Sequence, residues 1–148
     1  MMPHPGRILA IDYGTKRVGV AVSDPTQLIA QGVTTLTNDG GLLGRLCTVI
    51  QEQKAVRIVV GMPYSDDGGK GAKALEIERF IDTLTKAVEV QVDRWDESYS
   101  SVNAQRTFIE TGMRRKKRQE KSRVDEMAAR LMLQEYLDHH SDARTHSS

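Results

Sequence analysis

Three acidic residues stand where a carboxylate could take part in chemistry. Asp12 ends the apolar run RILAID, Glu97 closely follows the alternating run VEVQVDRW, and Asp125 lies early in SRVDEMAARLMLQEYLD. Ligands of parallel α/β sheets collect at the carboxyl ends of the strands, so we expect the three acids to meet at one edge. Carboxylate oxygens are the ligands that Mg²⁺ prefers, and paired divalent ions assist phosphodiester hydrolysis. The set therefore predicts a site for Mg²⁺ or Mn²⁺.

Each acid also has a structural explanation that the residues alone leave open. Asp12 could shape the turn at Gly14, and Glu97 and Asp125 could each favour a helix start through the macrodipole. Helical spacing says more about Asp125, because it shares a face with four apolar or amphipathic residues: Ala128, Ala129, Met132 and Tyr136. A carboxylate on a buried face must be neutralised, hydrogen-bonded or bound to a cation.

The positive charge is concentrated in one decapeptide, residues 114–123, RRKKRQEKSR. It holds seven of the 21 basic residues and one of the 20 acidic ones, a net charge of +6 in a chain of net charge +1. Such a segment indicates a polyanionic partner, with a solvated charge run as the alternative. The predicted nucleic-acid contacts are Arg114, Arg115, Lys116, Lys117, Arg118 and Lys121.

The hydrophobic pattern predicts an α/β fold in the order β-β-β-α-β-α-β-α-α. Strands are predicted at 7–12, 17–23, 28–36, 55–63 and 88–95, and helices from 42 and over 75–88, 98–112 and 122–138. A strand meander followed by β-α units implies a mixed five-stranded sheet with helices on both faces. We expect one domain, 1–148, with its core at about 7–138 and a frayed polar tail at 139–148.

Several classes of protein are disfavoured by composition. No stretch approaches the roughly 20 apolar residues of a membrane helix, and MMPHPGR lacks an apolar signal core. With one cysteine no internal disulfide can form, so a cytoplasmic location is expected. The four histidines fall in the predicted tails, where we expect them to be solvated. The glycine-rich DDGGKGAK does not fit a phosphate-binding P-loop.

Four motifs in order resemble the YqgF family: ILAIDYGTKRVGVAVSD, IVVGMPYSDDGGKG, DESYSSVNA and RKKRQEKSRVDEMAARLMLQEYL. Members are called pre-16S rRNA nucleases or Holliday junction resolvases and have an RNase H-like fold. The resemblance implies that Asp12, Glu97 and Asp125 form the acidic triad of a divalent-metal-dependent endonuclease. It also implies 5′-end processing of precursor 16S rRNA on ribosomal particles, with resolution of branched DNA as the rival. Ser98 departs from the arginine usual after the D-E motif.

Two other classes of function remain for comparison. DYGT also resembles the first phosphate loop of actin-like ATPases, but those proteins pair two such domains and no second loop is present here. The absence of one of the three acids would favour a non-catalytic RNA- or ribosome-binding module, but all three acids are present. Trp95 and Tyr99 flank Glu97, so either could stack on a base or pack at the rim. Both a monomer and a homodimer are compatible with the sequence.

Overall fold

The computed structural model describes residues 5–63, 71–96 and 119–146; in the last range, side chains are described for 126–140. Five strands form one sheet: β1 Arg7–Tyr13, β2 Arg17–Ser23, β3 Ala30–Thr37, β4 Ala55–Met62 and β5 Gln91–Asp96. The helices described are α1 Leu42–Gln53, α2 Ala72–Ala87 and α3 Gln119–His146. None of these helices is both long and apolar enough to cross a lipid bilayer.

The sheet is mixed, with strand order β3-β2-β1-β4-β5. The first three strands form an antiparallel meander, whereas β4 pairs parallel with both β1 and β5. Continuous β-branched residues suit β4 to this central place, because helices cover both of its faces. The predicted mixed sheet with helices on both faces is confirmed.

Alternation along the strands produces two cores of different character. One side, here called the apolar face, packs against α1 and α2 through large side chains: Leu9, Ile11, Val18, Val20, Ile58, Val60 and Met62. The other side, here called the small-residue face, packs against α3 and includes Ala10, Ala21 and Ala30. Buried residues of α3 complete that core: Ala128, Ala129, Met132, Leu133, Tyr136 and Leu137.

Helix α3 lies close to the sheet because the residues beneath it are small. A Cβ added to Gly32 would come within 2.8 Å of Cγ of Glu126. Gln134 joins the helix to the start of β3: its Nε2 donates to the oxygen of Leu28 at 2.9 Å, and its Oε1 accepts from the N–H of Ala30 at 2.9 Å. Glu126 and Gln134 therefore contact the rim of the sheet.

The element bounds differ from prediction mainly at the carboxyl end. Strand β5 begins at Gln91 rather than 88, because its pairing with β4 starts there. The last helix, predicted for 122–138, runs from Gln119 to His146, so the prediction of a frayed tail from 139 was wrong through most of that segment. The predicted helix 98–112 falls outside the described residues, as do residues 64–70 of the glycine-rich segment, which we expect to be a loop over 64–74. Helix α2 begins at Ala72, so the last three residues of that predicted loop are helical instead.

Candidate active site

Asp12 is a buried charged residue at the end of the first strand. It is 6% exposed and lies directly opposite Gly19 of β2. Because side chains alternate along a strand, Asp12 shares its side of the sheet with Ile8 and Ala10, which belong to the core beneath α3. The carboxylate therefore lies on the small-residue face, and it needs a compensating partner there.

Two glycines flank Asp12 on the neighbouring strands. Gly19 is its partner on β2, and Gly61 follows Val60, the residue of β4 that pairs with Ile11. Both glycines are buried. Neither neighbouring strand thus places a side chain beside the carboxylate at this level of the sheet. Carboxylate oxygens are ligands that Mg²⁺ accepts, and this ion keeps several of its waters in protein sites.

The position of Asp125 is consistent with a role at the same face, although its side chain lies outside the described residues. It belongs to α3, three and four residues before Ala128 and Ala129, which are 3% and 0% exposed. The predicted buried stripe of this helix is confirmed for those two residues and for Met132 and Tyr136.

Strand β5 leads toward the third predicted acid. Its final residues Trp95 and Asp96 pair with Gly61 and Met62. Since neighbouring strands are about 4.8 Å apart, β5 lies roughly 10 Å across the sheet from β1. Glu97 itself falls outside the described residues. Among those described, no three His, Cys, Asp or Glu side chains form a group that could hold a metal.

Trp95 packs at the rim of the small-residue face. Its ring is edge-on to that of Tyr136, with the ring centroids 5.6 Å apart, and its centroid is 5.5 Å from that of His139. His140 lies against Tyr136, with ring centroids 4.0 Å apart, and its Nδ1 is 2.9 Å from the backbone carbonyl oxygen of Tyr136. Both histidines belong to α3, so their predicted place in a frayed tail was wrong. The predicted exposure to solvent is confirmed for His139, whereas His140 is half-buried. The buried indole N–H of Trp95 has no hydrogen-bond partner in the part of the chain described.

Sequence reasoning gave Asp24 no role, yet it organises the turn between β2 and β3. Its carboxylate accepts hydrogen bonds from the N–H groups of Thr26, Leu28 and Ile29 and from the Thr26 hydroxyl. Partial burial acts to raise the pKa of Asp24, but these hydrogen bonds outweigh it and lower the pKa to about 2. The signal was present in the sequence, since Asp before Pro-Thr is typical of a side-chain-stabilised turn.

The side chains of the predicted nucleic-acid contacts all lie outside the described part of the chain. Residues 114–118 are not among those described, and Lys121 belongs to α3 without a described side chain. Their assignment stays a prediction. Tyr99, the other predicted stacking residue, also lies outside the described residues.

Comparison with known proteins identifies the family. The model of the family described as "RuvX: Holliday junction resolvase" matches residues 6–139. The chain belongs to the RuvX family. Among its relatives, a protein of Myxococcus xanthus is 41% identical over 136 residues, covering 90% of this chain and 89% of that protein. One of Chlorobium luteolum is 42% identical over 138 residues, covering 93% and 97%. Both carry the name "Putative pre-16S rRNA nuclease".

Solved structures support the same fold. Thermus thermophilus RuvC in complex with a Holliday junction substrate has a TM-score of 0.56 at 14% identity, covering 85% of this chain and 90% of that one. A second structure of Thermus thermophilus RuvC has a TM-score of 0.53 at 12% identity, covering 85% and 92%. These likenesses confirm the predicted RNase H-like fold. The RuvX family is the YqgF family under another name, so the family match confirms the resemblance found in the sequence motifs.

Proposed function

We propose that this chain is a divalent-metal-dependent endonuclease that hydrolyses phosphodiester bonds in structured RNA. Relatives about 40% identical over nearly the whole chain are named as pre-16S rRNA nucleases. The proposed substrate is therefore the 5′ end of precursor 16S rRNA. The observation that carries the proposal is Asp12, a buried carboxylate flanked by Gly19 and Gly61 on the sheet face beneath α3. In this proposal the protein works in the cytoplasm on ribosomal particles.

The acids Asp12, Glu97 and Asp125 would hold Mg²⁺ or Mn²⁺ in this scheme. A bound ion lowers the pKa of water and offsets charge on the reacting phosphate. Asp12 supplies a fixed carboxylate, because its strand is buried and paired on both sides. The five basic residues 114–118, with Lys121, would hold neighbouring phosphates through contacts that are independent of base sequence.

The replacement Asp12→Asn tests the proposal directly. It keeps the size of the side chain but removes its negative charge, so we expect cleavage of labelled precursor 16S rRNA in Mg²⁺ to fall at least about 1,000-fold. Circular dichroism and thermal unfolding should show an intact fold. Asp82→Asn is the matched control, because Asp82 is exposed on α2 at the opposite face. Unchanged cleavage by the Asp12→Asn protein would refute the assignment of Asp12.

Resolution of branched DNA is the second candidate function. It is favoured by the description of the matching family model as a Holliday junction resolvase. Labelled precursor rRNA and a four-way DNA junction should be offered to the same preparation, with Mg²⁺ and with a chelator. We expect Mg²⁺-dependent cleavage of the RNA at a defined position near the mature 5′ end. Symmetric cuts in the junction with intact RNA would select the second candidate instead.

A further inference from the structure

The turn between β1 and β2 is fixed by a close backbone approach and by two hydrogen bonds from Asn38. A Cβ added to Gly14 would clash with the backbone oxygen of Arg17, so the two ends of the turn approach as closely as glycine allows. Asn38, just beyond β3, fixes the turn from the side: its Nδ2 donates to the Gly14 oxygen at 2.7 Å, and its N–H donates to the Lys16 oxygen at 2.9 Å. The backbone leading into Arg17 is therefore positioned by Gly14 within the turn and by Asn38 from beyond β3.

Strand register puts Arg17 on the same face as Asp12. Arg17 is the first residue of β2 and pairs with Thr37. Two residues further along β2 is Gly19, the direct partner of Asp12, and residues two apart in a strand share a face. Arg17 is thus the diagonal neighbour of Asp12, a separation of about 7–8 Å that long side chains span. Gly19, which adjoins both residues on that face, has no side chain.

Three arginines of the described region form ion pairs at other places in the fold. Arg45 forms an ion pair with Asp39 beside the start of α1. The guanidinium nitrogen of Arg57 is 3.4 Å from a carboxylate oxygen of Asp93, and that of Arg94 is 2.8 Å from a carboxylate oxygen of Glu78 on α2. None of these three is at the Asp12 end of the small-residue face. Arg17 therefore differs from these three arginines in its position beside Asp12, not in its charge.

We propose that Arg17 is a phosphate-binding residue of the active site, contacting a backbone phosphate of the nucleic acid beside Asp12. The guanidinium group stays charged at all relevant pH values and offers paired N–H donors that match two phosphate oxygens. Because Arg17 lies on a strand, its backbone is held in place, whereas a basic residue on a long loop lacks this support. This inference rests on the proposed nuclease function and adds a specific phosphate contact to it.

The test measures binding separately from cleavage. Arg17→Gln and Arg17→Lys are each combined with Asp12→Asn, and fluorescence anisotropy follows binding of labelled precursor 16S rRNA from about 50 to 200 mM KCl. We expect Arg17→Gln to reduce the salt slope of log K by about 1 and to weaken binding about tenfold at 100 mM salt. Arg17→Lys keeps the charge and should retain the slope. Placed alone in the active protein, Arg17→Lys should lower kcat because the paired donors are lost.

The control is Arg79→Gln in the same background, since Arg79 is exposed on α2 at the other face and carries the same charge. Thermal unfolding of every variant confirms that binding is compared between folded proteins. RNA binding with an unaltered slope in Arg17→Gln overturns this inference and leaves the nuclease proposal standing. An equal loss of slope in Arg79→Gln also overturns it. Absence of RNA binding by the Asp12→Asn parent overturns both proposals together.

Discussion

The two faces of the sheet are built from alternate residues of the same strands, yet they differ in side-chain size. The apolar face carries leucine, isoleucine, valine and methionine against α1 and α2. The small-residue face, apart from Ile8 and Val59, carries alanine and glycine in its middle, together with Asp12. Ala10 pairs with Ala21, and the next pair on that face is Asp12 with Gly19.

The difference shows how one sheet separates stability from chemistry. Burial of large side chains stabilises by roughly 1.5–3 kcal/mol each, and this contribution is greatest on the apolar face. Small residues bury less area, but they let a helix approach closely and leave space beside a carboxylate. Changes on the apolar face should therefore affect unfolding alone, whereas changes on the small-residue face should also affect cleavage.

The largest effect on stability is expected from Leu9→Ala on the apolar face. Leu9 is 0% exposed, so the replacement leaves a cavity and should lower the free energy of unfolding by about 3 kcal/mol. For a chain of this size the melting temperature should fall by about 10 °C, measured by circular dichroism. The proposed rRNA cleavage at 20 °C should stay within about twofold of wild type. Val56→Ala, at a site 48% exposed, is the control and should cost less than about 0.5 kcal/mol.

The neighbouring residue tests the other face. Ala10→Leu adds bulk between β1 and α3, where Ala10, Ala128 and Ala129 are nearly inaccessible, and should cost about 2 kcal/mol. Because α3 also carries Asp125, we expect cleavage to fall about tenfold at a temperature where urea unfolding shows a folded protein. The comparison of the two faces fails if Leu9→Ala lowers cleavage more than Ala10→Leu does.

A smaller and pH-dependent effect is expected from Asp24→Asn. The low pKa of Asp24 means that its ionised form stabilises the fold fully above the ordinary pKa of 3.8, and this contribution is lost as the pH falls through about 2. After allowance for solvent screening we expect a loss of about 1 kcal/mol at pH 7. Urea unfolding at pH 7, 4 and 2 should show the variant approaching wild type at the lowest pH. A constant difference across this range would contradict the role given to the carboxylate.

Much of the fold follows from local pattern. Strand β2 has the predicted bounds, and β1 and β4 differ by one residue at one end, because each is a short β-branched run limited by turn residues. Strand β5 was placed too early since Val88 and Val90 continue the alternation and pack on the apolar face before pairing with β4 begins. Alternation reports which side is buried, but it does not report where inter-strand hydrogen bonds start.

The candidate site was predictable only in part. Asp12 could be found from its place at the end of an apolar strand, but its glycine neighbours depend on pairing between strands, which local pattern does not give. The contacts of His139 and His140 with Trp95 join residues far apart in the chain, so a polar composition suggested a tail instead. Arg17 was passed over for a similar reason, because its significance comes from register with Asp12 rather than from charge clustering.

The order of the elements along the chain has a consequence for synthesis. The strand that carries Asp12 is made before the other elements described, and α3, which packs against β1, β2 and β3, is the last of them. Until α3 has been made it cannot cover the alanines and glycines of the small-residue face, although the opposite face can already bury its side chains against α1 and α2. Completion of the proposed site thus requires α3, so a growing chain would acquire its activity only after this helix has been made.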